Sequence, residues 1–162
     1  MKKNYFFILL IILSSNVLSQ NYEKSEKLNE TDSIYLKAVK EYIIEIDSFY
    51  NKYSKEDQPK KLFIQKEKYL SKLPKKVSEY EIFQIDTKSK SDYLNLKMNK
   101  FFLVEITPIR IQKERVFIVL TPWHASVDID NELFLELSDW TIVEFKFIDG
   151  ILKHYNTESN GI

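Results

Sequence analysis

The sequence predicts an α+β fold, one long N-terminal helix packed on a curved, antiparallel meander sheet of about six to seven strands. Two periodicities and a set of short links predict it. Ile34, Tyr35, Ala38, Val39, Tyr42, Ile43, Ile46, Phe49, Tyr50 and Tyr53 recur at three- and four-residue steps, the period of a helix with one apolar stripe. After Pro59 the apolar period drops to two, as in half-buried strands. The links between those strands are short and polar, and short links join antiparallel neighbours.

The helix is expected from Asp32 to Tyr53. Asn29, Thr31 and Asp32 offer side-chain oxygens to the unpaired amides of its first turn, and the charged Ser54–Pro59 stretch ends it. Tyr35, Val39, Tyr42, Ile46, Phe49 and Tyr53 also step as a heptad seam, so dimerisation through the helix is the alternative use of the stripe. Ile34, Ala38, Ile43 and Tyr50 widen that stripe, which favours a helix lying across a sheet.

The expected strands are Leu62–Tyr69 (which could also be helical), Tyr80–Asp86, Tyr93–Met98, Phe101–Gln112, Val116–Ser126, Glu132–Leu137, Thr141–Ile148 and Ile151–Asn156. Asp149-Gly150 reads as a two-residue hairpin turn, since both central positions of such turns take positive φ. It pairs Phe147 with Leu152, Lys146 with Lys153, and Phe145 with His154. Phe102, Val104 and Ile106 share one face, but the apolar positions then become Ile109 and Ile111. An alternation of two changes phase only through an extra residue, so a bulge or bend is expected at Pro108. Pro122 is expected to break the following strand. Two interrupted neighbours imply strong curvature, and curvature around a helix implies a cone with an open mouth.

Composition removes several function classes. The 162 residues include two Gly and no Cys, which excludes Gly-rich phosphate loops, disulfides, thiolate metal sites and a Cys nucleophile. Lys2 and Lys3, the nine apolar residues Tyr5–Leu13 and the small residues Val17 and Ser19 read as an export signal cleaved after Ser19. Residues 20–31 then form a flexible lead-in and 32–162 a single domain, periplasmic or secreted, with no membrane anchor once the signal is removed. Without Lys2 and Lys3, 22 basic side chains face 24 acidic ones, a net charge of −2 that argues against nucleic acid as a partner. The charge is uneven. Asn51–Lys76 carries an excess of six positive charges, a candidate patch for lipid headgroups, polysaccharide or an acidic protein face. His124–Ile162 carries an excess of six negative charges.

Chemistry would have to lean on His124 and His154, the only imidazoles. His124-Ala125-Ser126-Val127-Asp128 places triad-type residues on one strand face, where they splay in parallel and do not converge. Asp128-Ile129-Asp130-Asn131-Glu132 starts like a calcium loop but lacks its glycine and terminal glutamate. No metal and no cofactor is expected. The hairpin register turns His154 inward beside Phe145, where it could orient a ligand with Trp123 and His124 at the mouth of an apolar cavity. His154 is also the one candidate general base should the domain be an enzyme. Asp128, Asp130, Glu132, Glu136 and Asp139 are the candidate acidic face for a protein partner.

The ending, with its Trp/Thr/Val/Phe strand, tight turn and last strand closing at Asn160-Gly161-Ile162, resembles small uncharacterised secreted proteins of Gram-negative bacteria. The resemblance covers Phe101–Ile162 and the export signal, and it brings no active site to transfer. The element order is similar to cystatin-like and nuclear-transport-factor-2-like domains, folds that host both enzymes and binding modules. The expected function is therefore an exported, non-enzymatic binding domain for a small ligand or protein partner, possible roles including inhibitor or immunity protein. A small cone-fold enzyme using His154 and an envelope subunit dimerising through the helix are the alternatives.

Overall fold

The computed structural model describes residues 28–53, 60–70 and 73–161. The export signal and most of the lead-in, like the helix stop at Ser54–Pro59, lie outside the described residues. Among the described residues no helix is long and apolar enough to cross a membrane.

Helix α1 spans Glu30–Tyr53. Asn29 starts it, its Oδ1 accepting the Asp32 backbone N–H at 2.7 Å and satisfying a first-turn amide. Tyr35, Ala38, Val39, Tyr42 and Ile43 are buried, so the stripe is used against the sheet over the first part of the helix. The strands are β1 (Lys61–Gln65), β2 (Lys76–Val77), β3 (Tyr80–Ile85), β4 (Lys100–Ile106), β5 (Arg110–Gln112), β6 (Arg115–Val127), β7 (Leu133–Leu137), β8 (Asp139–Ile148) and β9 (Ile151–Gly161). A short helix, α2 (Lys90–Leu94), lies between β3 and β4.

They form one open sheet in the order β2-β3-β1-β4-β6-β8-β9, with β5 and β7 pairing the two ends of β6. The expected all-antiparallel meander of six to seven strands is therefore corrected to a mixed sheet of nine. β1 runs parallel to both β3 and β4. The stretches between β1 and β3 and between β3 and β4 are each long enough for a parallel crossover. The expected strand Tyr93–Met98 belongs to the second of these. Tyr93 and Leu96, three apart, pack inward while Leu94 and Met98 stay exposed, which is helical spacing and not alternation. Ser89 Oγ and Asp92 Oδ1, at 2.8 Å, brace the turn into α2.

Two apolar layers result. On one face Tyr35, Val39, Tyr42 and Ile43 of α1 meet Leu62, Ile64, Val104, Ile106, Val116, Ile118, Leu120, Val143 and Phe145. On the other, Phe63, Ile85, Phe101, Leu103 and Ala125 pack with Tyr93 of α2. Leu62-Phe63-Ile64 is buried on successive, opposite faces, the continuous apolar run of a strand covered on both sides. The expected cone is absent, because the sheet stays open and its interior faces are filled where helices cover them.

The phase change at Pro108 is a bulge. Ile106 pairs with Leu120 and Thr107 N–H reaches Val119 O at 2.9 Å, whereas Arg110 already pairs with Phe117, one residue out of step. Tyr35 fills the gap by accepting the Ile109 backbone N–H on its hydroxyl at 3.2 Å. Pro122, by contrast, does not break β6. It pairs with Val104, and on the opposite edge β6 changes partner there, from β8 up to Leu120 to β7 from Trp123. A missing N–H is tolerated where one neighbouring strand has stopped and the next has not begun. The β8–β9 hairpin has the expected register, with φ of 53° at Asp149 and 75° at Gly150. A second bulge opposite Glu144/Phe145 leaves Tyr155 without a direct partner and lets β9 run on to Gly161, five residues past the expected end.

Candidate binding face

Alternation along β6 and β8 sends Val116, Ile118, Leu120, Val143 and Phe145 under α1, where all are buried. The intervening residues form an outer face. On it lie Phe117, Val119 and Trp123 of β6 and Trp140 and Ile142 of β8, all partly exposed. Both tryptophans of the chain are on this face. The Trp123 indole Nε1 donates to Glu105 Oε2 at 3.1 Å, fixing the ring beside a carboxylate.

At the far end the face becomes charged. Gln112, Lys113, Glu114, Arg115, Phe117 and Lys146 line an open depression of about 510 Å³. Arg115 Nη1 lies 2.9 Å from Glu144 Oε1, an ionic contact without an aligned hydrogen bond. The Tyr155 ring, freed by its bulge, sits 5.3 Å from the Arg115 guanidinium carbon and 5.7 Å from Lys146 Nζ. Guanidinium, ammonium and aromatic ring are thus gathered on one wet surface.

The residues singled out in the sequence are scattered among four places. Trp123 is on the outer face. His124 is on the opposite face of β6, its ring 4.6 Å from Phe102 and its backbone directly across from Glu136. Burial pushes the Asp139 carboxyl up, with His124 opposing, and Asp139 Oδ1 has no hydrogen-bond partner. Asp128, Asp130 and Glu132 form the β6–β7 turn instead. Asp128 Oδ1 accepts the backbone N–H groups of Asp130 and Glu132 at 2.9 and 2.8 Å, and Glu132 pairs with Lys90. His154 pairs with Phe145 as expected but is exposed, with Nε2 2.8 Å from Thr157 Oγ1 and Nδ1 3.6 Å from Glu41 Oε2. It has a carboxylate neighbour but stands outside the one depression described above. Trp123, His124 and His154 do not converge, and no group of three or more His, Asp or Glu able to hold a metal occurs among the described residues.

Sequence reading missed Arg115, Lys146, Lys153, Phe117, Trp140 and Tyr155 as a group. The Lys146–Lys153 pairing was readable from the hairpin, but the third cation needs the β6–β8 register, which no local signal specifies. Compared with protein-family models, curated proteins and solved structures, the chain finds no match in any of the three.

Proposed function

We propose that this protein is an exported, non-enzymatic binding domain that holds its ligand or partner across the outer face of β6, β8 and β9. The observation that carries this reading is the unequal cover of the same strands. Alternate residues of β6 are fully buried under α1, while Phe117, Val119 and Trp123 between them remain partly exposed beside Trp140 and Ile142. Aromatic rings with one apolar side and one wet side are the groups that binding surfaces favour. The export half of the reading rests on the leader at Lys2–Ser19.

A photo-crosslinking side chain at Ile142, compared with one at the exposed Ser48 of α1, tests the face in the producing cell. An adduct from position 142 and none from 48 is expected. Silence at 142, or equal labelling at both, would remove the outer face from consideration.

A second reading, self-association through the helix, is favoured by a separate observation. Phe49 and Tyr53 are 58% and 65% exposed although they continue the buried stripe, and their rings meet at a tilt with centroids 5.0 Å apart. Sedimentation of the mature chain and of Phe49→Ser decides it: a dimer lost in the variant supports this reading, and a monomer throughout ends it.

A further inference from the structure

We propose that Arg115, Lys146 and Lys153 form an anion-binding row for an acidic polysaccharide lying along the outer face, a proposal that rests on the outer-face reading above. The pairing registers set these residues abreast on three successive strands, Arg115 opposite Lys146 and Lys146 opposite Lys153. Partners opposite each other share a face, so all three cations project on the outer side. Like charges directly opposite are unfavourable in a sheet, and here the mismatch occurs twice in succession. Lys113 stands beside them on the rim of the depression. Four cations thus face two carboxylates, Glu114 and Glu144, and Glu144 is already engaged by Arg115. A bound anion would relieve this local excess.

The chemistry of the rest of the face indicates what carries the anion. From Arg115 to Trp123 is eight residue steps along β6, about 27 Å of extended strand, enough for several sugar units. Along it Phe117 and Trp123 offer flat apolar rings, and Glu105, which takes the Trp123 indole N–H, offers further carboxylate lone pairs as hydrogen-bond acceptors. Pyranose rings present an apolar face to such rings and hydroxyls to such acceptors. An extended peptide gains most of its affinity by pairing its backbone with an exposed strand edge. From Arg115 to Leu120 the backbone groups of β6 are already paired on the β8 side, and the open edge of the sheet lies beyond, on β9.

The test uses a galacturonate oligomer of several units, titrated into the full mature chain. Binding is followed by tryptophan fluorescence, since Trp123 and Trp140 both lie on the face. The expected result is a spectral shift on binding, an affinity that falls as salt is raised, and at least a tenfold loss in Lys146→Gln/Lys153→Gln. Lys61→Gln, an exposed lysine of β1, should bind as the parent does. No binding at low salt, or undiminished binding in the double variant, would overturn the proposal. Equal binding of polyglutamate or of an oligothymidylate would overturn it too, assigning the row to a protein or a nucleic acid. Should position 142 crosslink while the oligomer fails to bind, the anion row alone is refuted and the face survives.

Discussion

The two halves of the sheet are built differently. Across β1, β3 and β4 both faces are covered, by α1 on one side and the α2 stretch on the other. Across β6, β8 and β9 the outer side is packed by the second layer only at Ala125 near the end of β6, and elsewhere it carries partly exposed aromatics and cations. The first half is closed on both faces, and the second leaves open the face proposed for binding. Core residues in the closed half should therefore be costly to change, and outer-face residues in the open half cheap.

The sharpest test of that contrast is a pair of truncations. Leu103→Ala empties a fully buried site in the second apolar layer, and should cost about 3 kcal/mol or more. Ile142→Ala, partly exposed on the outer face, should cost less than about 1 kcal/mol. Urea denaturation of both compares them directly, and equal losses would dissolve the distinction. Next in size are two local devices, one in the open half and one in the covering helix. Gly150→Ala forces an L side chain to φ of 75° in the hairpin that holds β9, at about 1 kcal/mol. Nothing lies within 4 Å of the added Cβ, so the loss is conformational and not steric. Asn29→Ala removes the cap of the covering helix, again at about 1 kcal/mol. Thermal melts should show both, with amide exchange rising in β9 for the first and in α1 for the second.

The smallest effect depends on pH. Asp47 of α1 receives Lys60 Nζ at 2.6 Å and the Tyr80 hydroxyl at 2.7 Å, tying the helix to the start of β1 and β3. Burial pushes its carboxyl up, but the hydrogen bonds from Lys60 and Tyr80 together hold it below the usual aspartate range. Burial and the neighbouring carboxylate push the Tyr80 hydroxyl up to about 12, so it stays a donor through neutral pH. A depressed carboxyl stabilises the fold above its unfolded pKa, and the contribution fades as pH falls through the lower folded value. Asp47→Asn should therefore flatten the acid limb of a melting-temperature profile, by the equivalent of less than about 1 kcal/mol for so exposed a pair. Asp139 has the opposite sign. Its raised carboxyl weakens the fold as pH rises, so Asp139→Asn should melt higher than the parent at neutral pH.

Much of the architecture was legible because it is local. The α1 stripe needs only a repeat of three and four, and the β8–β9 register needs only Asp149-Gly150. The Pro108 bulge follows from the switch between Ile106 and Ile109. The parallel strands were harder to see, although Leu62-Phe63-Ile64 carries the continuous apolar run of a strand buried on both faces. Tyr93–Met98 misled because single large apolar residues satisfy a two-residue alternation and a three-residue helical step equally well over six positions. The candidate site was less visible still. Trp123 was singled out, but for a cavity that a filled, open sheet does not contain.

What the sequence by itself determined is whatever neighbouring residues settle among themselves: one amphipathic helix, strands cut by turns, the hairpin at Asp149-Gly150, and charges grouped along the chain. Only the tertiary structure decided which strands lie side by side, since β1 reaches β3 and β4 through long crossovers whose closure no short-range pattern encodes. That choice of neighbours also creates the candidate site. Arg115 is 31 positions before Lys146 in the chain, and the two become a pair of like charges only because β6 and β8 share an edge.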